Sequence, residues 1–247
     1  MSRYFLEVSY RGTAYSGFQS QQNTGKTIQA EVEKAFAVLQ REEVAMTGSS
    51  RTDAGVHALQ NYFHFDYEGE IHPQFLYKVN AILPEDIVIR KLVPVNVEAH
   101  CRFDAVSREY RYYIYRRKDP FLQDRAFYFP YRLSVEKMRE AAEVVKGYTD
   151  FTSFSKRNTQ VKTFECRILE SEWEMEGEKL VYHVRANRFL RGMVRALTAT
   201  MLQVGRGRID MEGFRGVIES RDCTKASFAV PARGLFLERV EFEGFGK

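Results

Sequence analysis

Residues 47–65, TGSSRTDAGVHALQNYFHF, set a run of small residues against an aromatic stretch, and the reading of that junction decides the fold. The first part, rich in Gly, Ser, Thr and Ala, reads as a loop. The second part leads into QNYFHFDY, residues 60–67, whose composition predicts a strand. The loop carries one cation, Arg51, and one carboxylate, Asp53. In an extended segment residues i and i+2 point the same way, so Arg51 can lie beside Asp53 and favour its ionised form. Gly55 offers the positive φ or close approach that a bulky residue forbids. The plainer reading is an Asx-turn with a surface ion pair, which contributes little.

Working outward, YFLEVSY (4–10) alternates as a strand, and GTAYSGFQSQQNTGK (12–26) reads as a long loop whose Gly, Tyr, Phe and Gln suit a nucleotide clasp. Ile28, Val32, Ala35, Phe36 and Leu39 recur at helical spacing and predict an amphipathic helix over 27–41. A strand near 43–48 precedes the quoted loop, and a helix over 73–83 and the strand DIVIRKL (86–92) follow it. In the second half, REYRYYIYRR (108–117) predicts a strand with Tyr110, Tyr112 and Ile114 on one face. A helix over 135–146 has Ser134 as N-cap and Gly147 as stop signal. The loop GYTDFTSFSKRNT (147–159) separates it from a hairpin, RILESEWEMEGEKLVYHVRAN (167–187), turning near Glu176–Gly177. Helices over 188–204 and after Asp210 precede the strand GLFLERVEF (234–242). Both halves mix antiparallel strands with two main helices. The expectation is two α+β domains, 1–104 and 105–247, whose sheets join.

Of the 247 residues, 44% are hydrophobic and 28% charged, a globular rather than a disordered composition. No apolar run approaches the ~20 residues of a membrane span. The opening MSRYFLEVSY reads as a strand rather than a signal peptide, so a cytoplasmic protein is expected. Cys101, Cys166 and Cys223 are scattered and odd in number, which suggests buried thiols rather than a disulfide framework or a metal site. The five histidines lack zinc-site spacing. His57 and His64 lie close to Asp53 but have no recognisable orienting acid, so both read as structural, with His64 on the less buried side of its strand.

Net charge is +4 and the pI about 8.9, a mild excess. Its distribution says more: no acid occurs between Glu178 and Asp210, a stretch holding Lys179, Arg185, Arg188, Arg191, Arg195, Arg206 and Arg208. A local field of one sign favours a polyanion. Within RANRFLRGMVRALTATMLQVG (185–205), Arg188, Arg191 and Arg195 fall at i, i+3 and i+7, a stripe opposite Phe189, Met193, Leu197 and Met201 if the segment is helical. Such a stripe suits phosphate or an internal carboxylate, and a solvated helix face is the alternative. SREYRYYIYRR (107–117) interleaves cations with tyrosines that can stack on bases, although an amphipathic strand has the same composition.

The segment SSRTDAGVHA (49–58) closely resembles GRTDAGVHA, the signature of the tRNA pseudouridine synthase A family. YRGTAYSGFQSQ (10–21), CRFDAVSREYRYYIY (101–115), DFTSFSK (150–156), RANRFLRGMVR (185–195) and VPARGLFLERVEF (230–242) match it in the same order, so the likeness covers almost the whole chain. Ser50 stands where the signature has Gly. The resemblance implies two α+β (ferredoxin-like, RRM-like) domains whose mixed, mostly antiparallel sheets join into one sheet with a central cleft. It implies a homodimer that isomerises uridines in the anticodon stem-loop of tRNA, at positions 38–40, without cofactor or metal. Asp53 matches the catalytic aspartate, Tyr110 the tyrosine that stacks on the target base, and Arg195 the basic partner of the aspartate. Arg51 matches an arginine that helps turn the nucleotide out of its stack. Arg188, Arg191 and Arg111 are the other candidate RNA contacts.

The implied chemistry breaks the uracil N1–ribose C1′ bond, rotates the base and rejoins it through C5. It calls for an ionised carboxylate near C1′ and C6, a platform for the detached base and a path for the C5 proton. An RNA-binding protein without a reaction keeps the basic stretch but gives Asp53 no task. A metal-dependent RNA hydrolase would call for further carboxylates near Asp53, and none is evident in the local sequence.

Overall fold

The computed structural model describes residues 1–22, 24–157 and 161–244. The expected loops over 12–26 and 147–159 therefore reach, at Asn23 and at Asn158 and Thr159, outside the described residues. The chain separates into two compact units, one formed by Met1–Val106 with the segment from Phe236 onward, the other by Ser107–Leu235.

The first unit holds β1 (Ser2–Tyr10), α1 (Ile28–Gln40), the short β2 (Thr47–Gly48), β3 (His57–Tyr67), α2 (Phe75–Ile82) and β4 (Ile87–Val95). Strand β1 is central, antiparallel to β3 on one side and β4 on the other. Helix α1 begins where the Thr27 hydroxyl accepts the Ala30 N–H at 3.2 Å, and it ends where Arg41 turns left-handed at φ +58°. Its Ile28, Val32, Ala35 and Phe36 are buried, as their spacing predicts. Phe36 meets Phe65 edge-on at 5.0 Å and Tyr67 at 5.4 Å, so the helix is fixed to the sheet by ring contacts as well as by burial. The strand expected over 43–48 shortens to Thr47–Gly48.

The second unit holds β5 (Ala105–Tyr115), β6 (Phe127–Tyr128), α3 (Val135–Val145), β7 (Ile168–Glu176), β8 (Lys179–Ala186), α4 (Met193–Gly205) and α5 (Met211–Glu219). Strand β8 is antiparallel to both β5 and β7. The β7–β8 hairpin turns at Gly177, whose φ of +60° a side chain would resist. Ser134 caps α3 through the Lys137 N–H, and Asp210 caps α5 through the Gly213 N–H. Helix α4 is buried on most sides. The Trp173 ring on β7 stacks on Tyr182 of β8 at 5.0 Å, and its indole N–H donates to the sulfur of Met201 on α4 at 3.2 Å.

The last strand, β9 (Leu235–Phe242), pairs parallel with β3, Phe236 opposite His57 and Leu237 opposite Ala58. It completes the first unit, whereas the sequence-based division at 104/105 assigns everything beyond to the second. Alternation identifies a strand but not its neighbour. Each unit is α+β with mostly antiparallel strands, nine strands and five α-helices among the described residues. No helix among them is long and apolar enough to cross a membrane.

His64 lies, as expected, on the less buried side of β3, with the partly exposed Gln60 and Asp66, yet it is itself enclosed. It is 7% exposed, its Nδ1 lies 3.2 Å from the Cys101 sulfur, and its ring meets His100 edge-on at 4.5 Å. Burial first, then His100 and Arg3, push its pKa down to about 4 from the 6.5 of a free imidazole. The unfolded chain therefore takes up this proton from about pH 6.5 downward and the folded chain does not, so stability is present above pH 6.5 and is lost as pH falls toward 4. The loss from this residue reaches at most about 3 kcal/mol. Urea titrations between pH 7 and pH 4.5 are expected to show a falling midpoint, and His64→Gln a shallower fall. Equal slopes would remove His64 from the account.

Candidate active site

The turn that bears Asp53 is anchored on both sides. On one side, the Asn61 side chain of β3 binds both backbone groups of Ser50, accepting the N–H at 3.2 Å and donating to the carbonyl at 2.8 Å. On the other, the Phe18 N–H donates to the Thr52 carbonyl at 3.2 Å, and the Tyr10 and Thr52 hydroxyls meet at 2.8 Å. The Asp53 carbonyl accepts the Val56 N–H at 3.2 Å, closing a turn in which Gly55 has φ +78°. Beneath it, Gly12 lies so close that a Cβ there would stand 1.9 Å from the Val56 carbonyl oxygen. Phe18 stacks on Phe63 at 4.5 Å and closes against Gly48. A carboxylate half-exposed on a turn with this many fixed points loses little entropy when it meets a substrate.

The YRGTAYSGFQSQ loop therefore acts as the prop of the aspartate turn, through Tyr10, Gly12 and Phe18. Sequence reasoning gave that loop a nucleotide-clasping character and did not find its propping role, and Asn61 was not singled out at all. His57 is buried, accepts the Gly12 N–H at Nδ1 (3.2 Å) and stacks on Phe236 at 4.4 Å, a structural placement as expected. Ser50 is not among the residues with positive φ, so its side chain brings no backbone strain. Its hydroxyl, like that of Ser49, is buried without a hydrogen-bond partner among the described residues, which costs about 1–3 kcal/mol. Arg51 is exposed and makes no ion pair among the described residues, so the expected pairing with Asp53 is not formed.

In the second unit, Tyr110, Tyr112 and Ile114 alternate on β5 as predicted. Tyr112 and Ile114 are fully buried, while Tyr110 is half-exposed, its ring edge-on to Phe189 at 5.0 Å. The chain at 230–234 braces this site. The Val230 carbonyl accepts from Arg195 Nε at 3.1 Å and from a terminal guanidinium nitrogen at 2.7 Å. The next carbonyl, Pro231, accepts the Tyr112 hydroxyl at 2.7 Å. Burial pushes the Tyr112 phenol far above its ordinary value, with Arg195 and Arg233 pulling the other way, so the hydroxyl stays a donor. Gly234 packs against that ring, where a Cβ would stand 2.7 Å from Cζ. One short segment thus orients Arg195 and fixes the strand that carries Tyr110.

Two expectations about the arginines change. Helix α4 starts at Met193 rather than at 188, so Arg188 and Arg191 precede it and the helical stripe is not formed. Gly192 at φ +77° interrupts the helix, and the Arg191 carbonyl accepts the Lys156 N–H at 2.9 Å instead of closing a helical turn. Arg191 is exposed and Arg188 half-exposed. Arg111 occupies the alternate position on β5 and turns to the face opposite Tyr110. There it pairs closely with Glu176, with Glu174 at 3.9 Å, so its charge is already compensated. Arg185 is likewise paired with Glu170.

The family model for tRNA pseudouridine synthase matches residues 7–104 and 141–243. The chain is 48% identical to the tRNA pseudouridine synthase A of Parabacteroides distasonis over 244 residues, 98% of this chain and 96% of that protein. With the protein of the same name from Bacteroides fragilis the identity is 44%, covering 98% of this chain and 97% of the relative. With that of Staphylococcus saprophyticus it is 40%, covering 96% and 90%.

Proposed function

Because this chain belongs to the tRNA pseudouridine synthase family, and so isomerises uridine to pseudouridine in tRNA, we propose that its targets lie on the 3′ side of the anticodon stem-loop and that Asp53, Tyr110 and Arg195 carry the reaction. The observation that supports this most is the Asp53 turn itself, pinned at Ser50, Thr52 and Val56 while its carboxylate stays half-exposed.

In this reading the carboxylate meets the sugar and base of an extruded uridine at C1′ or C6. Glycosidic cleavage frees uracil, which stays in the site while it turns. Tyr110 supplies the flat surface for the base and, through its hydroxyl, a route for the C5 proton. C5 then bonds to C1′ and gives up its proton while N1 takes one up, so the reaction is an isomerisation with no net gain or loss of atoms. Arg195, oriented by the Val230 carbonyl, serves as the cation that accompanies the carboxylate. Turning the target base out of its stack costs a few kcal/mol. Arg51 enters the vacated space, and phosphate contacts from Arg188 and Arg191 offset the rest. Arg111 is left out because of its pairing with Glu176. The working species is a homodimer in the cytoplasm, with the tRNA spanning both copies.

The test is tritium release from tRNA carrying [5-³H]uridine, with the modified positions mapped by carbodiimide labelling. Release confined to tRNAs with uridines at the 3′ side of the anticodon stem-loop is expected. Release from uridines elsewhere would overturn the target assignment.

A further inference from the structure

The second unit carries an aromatic and basic surface that the reaction above does not use. The segment after β6 continues as Phe129, Pro130, Tyr131 and Arg132, and it packs beside the end of α4, where the Ser134 N–H donates to the Gly205 carbonyl at 2.8 Å. Tyr131 is 51% exposed, its ring edge-on to Phe129 at 5.0 Å, with the Arg206 guanidinium 4.1 Å from its centroid. Arg132 and Arg208 are exposed on the same two segments. Among the described residues none of Arg132, Arg206 and Arg208 meets a carboxylate. Asp210, the nearest acid after them, is committed to capping the Gly213 N–H at 2.8 Å. The carbonyl end of α4 favours cations at this point, which holds Arg206 in place without an acidic partner.

We propose that this surface, Tyr131 with Arg132, Arg206 and Arg208, is a second contact for the tRNA, separate from the Asp53 and Tyr110 residues. The guanidinium groups take backbone phosphates, and the exposed face of Tyr131 takes a base or a ribose edge. Three cations without carboxylate partners, one of them over the Tyr131 ring, match a polyanion with flat groups. They do not match a second copy of the same surface, because a two-fold contact would place like charges together. The inference rests on tRNA being the substrate, as read above.

Filter binding and steady-state rates with unfractionated tRNA test it. Arg206→Ala and Arg208→Ala are each expected to weaken tRNA binding about five- to tenfold and to flatten the slope of log K against log salt by roughly one. Tyr131→Ala is expected to weaken binding at least about fivefold, and Tyr131→Phe to retain it, because the stacking face is kept. The effect falls on Kd and KM rather than on kcat. Arg208 is exposed, so its variant is expected to melt with the wild type and separates binding from folding. A double Arg206→Ala/Arg208→Ala variant with wild-type Kd and salt slope overturns the proposal. So does a change of sedimentation coefficient in place of a change of affinity, which would make the surface a contact between copies. A wild-type chain that binds tRNA through these residues yet releases no tritium overturns the catalytic reading and supports this one.

Discussion

Asp53→Asn is expected to lower tritium release from [5-³H]uridine tRNA by at least about a thousandfold while the Kd for the same tRNA stays within about threefold of wild type. The substitution keeps shape and removes only charge. The turn is held through backbone groups of Ser50, Thr52, Asp53 and Val56, none of which depends on the carboxylate. The amide therefore sits where the acid sat, and lost rate reports lost chemistry rather than lost geometry. Affinity is expected to stay level or rise slightly, since a negative charge leaves an RNA-facing surface. A protein that only binds RNA would show no difference between the two forms in anything but affinity. Retention of more than about a tenth of the wild-type rate would remove Asp53 from the reacting centre. A parallel Arg195→Lys variant tests the partner, because a lysine cannot donate twice to the Val230 carbonyl as the guanidinium does.

The Asp53 turn and the face of β5 that carries Tyr110 and Tyr112 were readable from the sequence, because both rest on local rules. Glycine marks the sharp turn, and alternation sorts a strand into two faces. The same alternation puts Arg111 on the face opposite Tyr110, but nothing local to it foretells its pairing with Glu176 on β7. What escaped were relations between distant residues. Nothing near Val230 says that its carbonyl holds Arg195, and nothing near Asn61 says that it grips Ser50. The late start of α4 escaped for a different reason. RANRFLRGMVR has good helical spacing, and only the left-handed backbone of Gly192, with Lys156 taking the Arg191 carbonyl, overrides it. Local propensity is a weak prior where a loop from elsewhere supplies the competing hydrogen bond.

Gly12→Ala tests whether the propping loop sets the position of the aspartate. The new methyl would stand 1.9 Å from the Val56 carbonyl oxygen and 2.8 Å from its carbon, both backbone atoms that no rotamer change can move aside. Ordinary contact needs well over an ångström more, so either the 12–14 turn or the 53–56 turn must shift. The Gly12 N–H bond to His57 and the burial of His57 oppose movement of the first, which directs the shift toward Asp53. A displacement of about 1 Å at a reacting group costs on the order of a hundredfold in rate, and that loss is expected in kcat with KM little changed. Stability should fall as well, by about 1–3 kcal/mol for overpacking, read as a lower urea midpoint. Gly177→Ala is the control. Its φ of +60° makes the substitution strained, but nothing lies within 4 Å and the hairpin is remote in sequence from the turn, so it should cost about 1 kcal/mol of stability and no activity. If Gly12→Ala instead matched that control, losing stability but keeping its rate, the loop would be a support for the fold alone, and the placement of Asp53 would depend on Asn61 and Tyr10.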